Sequence, residues 1–225
     1  MKILLTISAL LLVSCAFGQS LKTVKAKSRY LLEQYEVRAD NDTLRTGSYR
    51  KYLRDGNVLL EEGTYADNKR TGVWTFYDDK GKPELVYDYS ASKVLENHRV
   101  TADSLGVVQQ DGKATVVRLT PPPILLASTY QISAILVRES RFPMHLMQAG
   151  LRELSYKVAA TVSPTGTHYR IVASNPDKKF TQDAQKWTAL AFKDTQWLPG
   201  SYDGQPATAM YLLPEIVLVG SAVIR

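Results

Sequence analysis

Gly47-Ser-Tyr49-Arg-Lys-Tyr52-Leu-Arg-Asp-Gly56 and Gly72-Val-Trp74-Thr-Phe-Tyr77-Asp-Asp-Lys-Gly81 lie 25 residues apart and share their glycine and aromatic positions. The match runs backward, where Arg45-Thr46-Gly47 aligns with Arg70-Thr71-Gly72, and forward, where Leu60 aligns with Leu85. A repeat of this length means stacked supersecondary units, and such arrays present surfaces more often than they run chemistry. Between the repeated strands the turn signals are plain: Asp55-Gly56, Asp67-Asn68-Lys69 and Asp79-Lys80-Gly81-Lys82 separate short aromatic-rich runs. Asp-Gly between alternating apolar runs is a hairpin signal, and wide aromatic side chains pack well across neighbouring strands. Leu44 to Tyr89 therefore reads as an antiparallel ribbon. Tyr30 to Val37 is assigned as a strand before it, and Ser20 to Lys27 as a loose polar stretch. Tyr49, Tyr52, Trp74 and Tyr77 are expected mainly in core packing, and the glycines in tight turns or close strand contacts.

Glu62-Gly63-Thr-Tyr65-x-x-Asn68-Lys69-x-x-Gly72-x-Trp74-x-x-Tyr77-x-x-x-Gly81-Lys82 resembles the MORN-type repeat of exported bacterial proteins. The resemblance covers close to two repeats and implies a twisted antiparallel ribbon, without implying any one activity.

The N-terminus reads as an export signal. Lys2 is followed by the apolar Ile3 to Val13, and Ala16-Phe-Gly18 puts small residues where cleavage before Gln19 would need them. The apolar run is short for a bilayer span, which takes about 20 residues. Leu12-Val13-Ser14-Cys15 resembles a lipoprotein lipobox, so Cys15, the single cysteine, is either a lipidation site or a chance residue in a discarded leader. Both readings leave the mature chain without a thiol for a disulfide, a thiolate nucleophile or a cysteine zinc site. The chain of 225 residues carries a formal charge of +6 with its cations and anions interspersed, which speaks of solubility. No basic run with interleaved aromatics sits on a recognisable nucleic-acid module, so no nucleic-acid partner is expected.

The second half differs in chemistry. Ser90 to Ala114 is irregular, and Pro121-Pro122-Pro123 is a stiff segment that marks a boundary or forms an ordered edge. Ile124 to Val137 is an approach to the next domain. Phe142 to Gly150 is a short helix, Leu154 to Val162 and Tyr169 to Ala173 are paired strands, and Phe180, Ala184, Trp187 and Ala191 recur at helical spacing. Trp197 to Gly200 and Asp203 to Pro206 are turns, and Thr208 to Val219 is a long last strand.

Phe142-Pro143, Ala149-Gly150, Val162-x-x-x-Gly166, Trp197-x-Pro199-Gly200, Asp203-Gly204-Gln205-Pro206 and Pro214-x-Ile216 together resemble the C-terminal domain of TonB-type energy transducers. The chain departs from that family at Glu153, where glycine is common, and lacks the long anchor and proline-rich spacer. The resemblance implies recognition of an extended peptide by strand addition at a sheet edge, the main chain supplying the hydrogen bonds. Pro214 independently points to an edge strand, since proline removes a ladder donor; it serves to block edge aggregation, to receive a peptide, or both.

The expected fold is α+β: an antiparallel β-hairpin repeat ribbon, then a small two-layer domain with a three-stranded antiparallel sheet and two helices. Its parts are a signal segment 1–18, a repeat region 28–95, a linker 96–127 and a TonB-C-like domain 128–222. The expected function is non-catalytic protein binding in a Gram-negative envelope, periplasmic or outer-membrane-associated. The docking edge is Met210, Tyr211, Leu212, Pro214 and Val217. The partner is an envelope protein or extended peptide, and membrane contact comes only through a lipid anchor or uncleaved signal. No cofactor or metal is expected: His98, His145 and His168 lack metal spacing, and the pairs Glu61-Glu62 and Asp78-Asp79 read as solvated residues near turns. Two alternatives are an energy-transducer relative that keeps an N-terminal anchor, and an envelope hydrolase with an unrecognised site. Intact-mass measurement on protein recovered from envelopes is expected to show cleavage before Gln19 or lipid on Cys15; an uncleaved chain beginning at Met1 would favour the transducer.

Overall fold

All four glycines of the repeat adopt positive φ, between 60° and 95°. Gly56 and Gly81 close equivalent turns: Gly56 N donates to Leu53 O and Gly81 N to Asp78 O. Gly47 and Gly72 fall inside strands, where the register shifts beside each of them. These are bulges that bend the ribbon, a conformation that costs glycine no Cβ clash.

The protein is represented by a computed structural model that describes residues 20–99, 105–110 and 113–220. The expected signal segment and Cys15 lie outside the described residues. Seven strands follow one another as an antiparallel meander in chain order: β1 (Leu21–Lys27), β2 (Leu31–Arg38), β3 (Asn41–Leu53), β4 (Leu59–Ala66), β5 (Lys69–Tyr77), β6 (Pro83–Asp88) and β7 (Lys93–Asn97). The polar stretch expected to be loose is β1, held by seven paired positions against β2. Backbone pairing needs no apolar side chains, so an exposed edge strand leaves little pattern.

The second sheet also has seven strands. It contains β8 (Leu105–Gln110), β9 (Lys113–Arg118), β11 (Glu153–Ser163), β12 (Gly166–Ala173), β14 (Gly200–Tyr202), β15 (Gln205–Leu212) and β16 (Ile216–Val219). Its path runs β12-β11-β15-β8-β9, with β14 joined to β15 and β16 to β11. A two-stranded piece pairs β10 (Ile124–Leu125) with β13 (Trp197–Leu198). The helices are α1 (Thr129–Glu139), α2 (Met144–Gln148) and α3 (Lys178–Ala191). Of the described residues 54% are strand and 16% helix, so the fold is mostly β, and the expected α+β class with a three-stranded sheet and two helices is corrected. Within the expected linker, β8 and β9 are two strands of this sheet, and the expected approach to the domain contains most of α1. The segment read as two turns supplies β13, β14 and the start of β15, leaving Asp203-Gly204 as the turn, both at positive φ.

The cores follow the strand alternation. Along β11, Leu154, Tyr156, Val158, Ala160 and Val162 are buried. All five lie on one face of the strand, and Leu154, Tyr156 and Val158 pack there with Ile132 and Ile135 of α1 and Phe180 and Ala184 of α3. In the first sheet Tyr49, Trp74, Phe76, Leu85 and Tyr87 pack with Ile124 and Leu126 from the second half. The two halves therefore share a core.

A polar knot reinforces that junction. Glu84 of β6 accepts from Thr129 N (2.7 Å) and Thr129 Oγ1 (2.6 Å) at the start of α1, and from Arg99 Nη2 (2.8 Å). Arg99 also donates to the carbonyls of Leu125 (2.5 Å) and Ala127 (2.6 Å). Ser128 caps α1 through Gln131 N while its hydroxyl donates to Tyr77 O at 2.6 Å.

Gly63 shows how close the aromatic face is packed: a Cβ there would stand 2.3 Å from the Trp74 ring. Gly63→Ala is expected to destabilise the fold by about 1–3 kcal/mol through overpacking, read as a lower midpoint in urea unfolding.

Candidate functional site

Strand alternation sorts the second sheet into two faces. One packs on the helices. The other carries Leu105, Val116, Val172, Met210, Leu212, Val217 and Val219, seven of the thirteen large apolar side chains that are exposed among the described residues. The registers place them together: Val107 pairs with Val116 and Thr208, Thr161 with Met210, Ala159 with Leu212, and Ser155 with Val217. Lys157 and Glu215 lie on or beside this face, 3.9 Å apart. A gathered apolar patch with charged neighbours marks an interaction surface more than scattered single residues do.

The sheet edge at this patch is open over part of its length. β15 pairs with β11 through Ala209–Leu212, and β16 pairs with the other end of β11 through Ile216–Val219. Together they are the long last strand expected from the sequence, interrupted at Leu213, Pro214 and Glu215. Leu213 N still donates to Val158 O across the break. The expectation of a free edge needs correcting at one end, because Thr208 and Ala209 are covered by Val107 and Gly106 of β8. From Met210 to Val219 no further strand pairs on the outer side among the described residues. Of the expected docking residues, Met210, Leu212 and Val217 are about half exposed, Pro214 is exposed, and Tyr211 packs its ring 5.5 Å from Trp197.

The first sheet brings a second group together. The repeat places Arg45 and Arg70 at equivalent positions, and each lies over aromatic rings: Arg45 4.3 Å from the Tyr35 centroid, Arg70 4.1 Å from Trp74. Tyr49 and Trp74 of the motif are buried within this cluster, while Tyr52 and Tyr77 are half-buried. The Tyr77 hydroxyl donates to Glu62 at 2.5 Å, and burial together with that carboxylate pushes its pKa up to about 12.

Glu61 was missed. Expected in solvent, it is fully buried and paired with Lys51 Nζ at 2.8 Å and Arg70 Nη2 at 2.9 Å. Burial pushes the Glu61 carboxyl up, but the two cations outweigh it and hold it below its ordinary 4.5. The signal was its parity: Glu61 stands two before Gly63 and four before Tyr65, on the aromatic face. Glu62, its neighbour, points the other way and meets Arg50 and Tyr77.

A cavity of about 750 Å³ opens above this cluster, walled by Glu33, Arg45, Tyr49, Arg70 and Tyr89 and by the loop Asp194–Gln196 after α3. A second, of about 620 Å³, adjoins it at Tyr89, Thr195 and Gln196 and is lined by Tyr87, Tyr169, Phe192 and Trp197. His145, on α2, contacts Asp177, the N-cap of α3, at 3.0 Å. Among the described residues no group of three or more His, Cys, Asp and Glu is placed to hold a metal ion, and no helix is long and apolar enough to cross a membrane.

No family model matches the chain, and neither a curated protein nor a solved structure matches it.

Because the folded-state pKa of Glu61 is depressed, its stabilisation is complete above the ordinary value of 4.5 and is lost as pH falls through the lower folded value. Glu61→Gln leaves two buried cations without their anion and is expected to cost about 3–5 kcal/mol at pH 7. Thermal melts from pH 7 down to pH 3 check this: the difference between variant and parent should shrink at the acid end.

Proposed function

We propose that this chain is a non-catalytic binding protein of the bacterial envelope that takes an extended polypeptide at the open edge and apolar face of its second sheet. One observation carries the reading: seven exposed apolar side chains collect on one sheet face that runs out to an edge which, among the described residues, no further strand covers from Met210 to Val219. An added strand would find main-chain partners along that edge and alternate apolar positions on the face beside it. The interruption at Pro214 limits how two such edges could zip together along their whole length, which keeps the surface soluble.

The resemblance of Phe142-Pro143, Trp197-x-Pro199-Gly200 and Pro214-x-Ile216 to the peptide-binding domain of TonB-type transducers supports the same reading. It leaves the partner open: an envelope protein or a free peptide segment. Export to the envelope rests on the leader pattern in residues 1–18.

A peptide library displayed on phage and selected on the immobilised chain tests the proposal. The expected winners are extended, alternating sequences whose binding weakens at least about tenfold in Met210→Asp or Val217→Asp, both at half-exposed positions. Val73→Asp, on the first sheet, is the control and should bind as the parent does. Equal binding by all three variants would remove the edge as the site.

A further inference from the structure

The cavity between the repeat sheet and the loop after α3 is independent of that edge. Its walls hold four cations, Arg45, Lys51, Lys69 and Arg70, against two carboxylates, Glu33 and Asp194. Glu61 below them is committed to Lys51 and Arg70, so the balance including it is four cations to three anions. Of the two guanidiniums Arg45 is the less committed: Nη2 donates to Glu33 at 3.1 Å, and its side chain keeps a third of its surface open.

Both guanidiniums are held before any ligand arrives. Arg45 lies over Tyr35 and within 6 Å of the Tyr49 and Tyr65 centroids, and Arg70 lies over Trp74 while its Nη1 donates to the Tyr89 hydroxyl at 2.9 Å. A stacked guanidinium has lost much of its rotamer freedom already, so ordering it against a ligand costs less. Its planar fork matches the two oxygens of a carboxylate. The neighbouring cavity has aromatic walls and hydroxyl-bearing residues but no charged side chain where this one is cationic, and the two meet at Tyr89, Thr195 and Gln196.

We infer that this pair of cavities binds a small amphipathic carboxylate, with its acid group at Arg45 and Arg70 and its apolar part passing Tyr89 toward Phe192 and Trp197. A charge at one end and aromatic walls at the other define that class of ligand. Either cavity alone would take a simpler one. The site lies on a wall that the 25-residue repeat builds, because the repeat is what sets two arginines over two aromatic rings.

Calorimetric titration of the full chain tests this with three probes: 4-phenylbutyrate, acetate and 4-phenylbutanol. The first should bind at least about tenfold more tightly than either of the others, and its affinity should fall with added salt. Arg45→Gln should weaken 4-phenylbutyrate at least about tenfold. Lys69→Gln, at an exposed rim position, should weaken it less and flatten the salt dependence; it serves as the readout should Arg45→Gln lower the melting temperature. No binding of 4-phenylbutyrate at millimolar concentration, equal binding of acetate, or unchanged affinity in both variants would overturn the assignment.

Discussion

Glu84 ties the two sheets to one another. Its carboxylate meets the first backbone N–H of α1, the hydroxyl of the same residue, and the guanidinium of Arg99, which in turn grips two carbonyls ahead of that helix. A negative charge at a helix N-terminus stabilises by about 0.3–1 kcal/mol when exposed and more when partly buried. The ion pair itself is a weaker contributor, because removing both charges from water offsets much of their attraction. What the knot supplies is position. It fixes where α1 begins relative to β6, and so where the helical layer, β11 and the last strands stand against the repeat sheet. The shared apolar core of Trp74, Phe76, Leu85, Ile124 and Leu126 provides the larger energy, since each fully buried large side chain is worth roughly 1.5–3 kcal/mol.

Both proposed surfaces are consequences of how the layers stack. The helices cover one face of the second sheet and leave the other bare, so the alternation that buries Tyr156 and Val158 also exposes Met210, Leu212 and Val217. The cavities exist because the loop after α3 stands across from the aromatic face of the first sheet. The first cavity draws its walls from both halves of the chain, whereas the apolar face is built by the second sheet alone.

The repeat ribbon was legible in the sequence because glycine, aromatic and turn residues each have a narrow structural meaning. Gly47, Gly56, Gly72 and Gly81 do adopt the conformation that other residues avoid, and Tyr49 and Trp74 are core residues. α3 and the β11–β12 hairpin were legible from periodicity. What escaped was structure without a side-chain pattern. β1 is an exposed edge strand; β14 is three residues long; α1 begins in a run with apolar residues on several sides. For β8 and β9 a signal existed, since Asp111-Gly112 separates two runs rich in valine, but the aromatic spacing that marks the repeat stops before it. The open edge was half legible: Pro214 pointed to it, whereas the cover that β8 lays over Thr208 and Ala209 depends on a pairing between residues a hundred positions apart. Glu61 escaped because two adjacent carboxylates look solvated until strand parity sends one of them inward.

The central claim is that the two halves form one cooperative body, joined at Glu84 and the shared core, with a sheet edge left open. Native-state hydrogen exchange, followed residue by residue, tests it most directly. The slowest amides of β5 and β6 should open with the same free energy as the slowest of β11 and α1, while amides on the outer side of 210–219 exchange far faster. Separate opening energies for the two sheets would contradict the account.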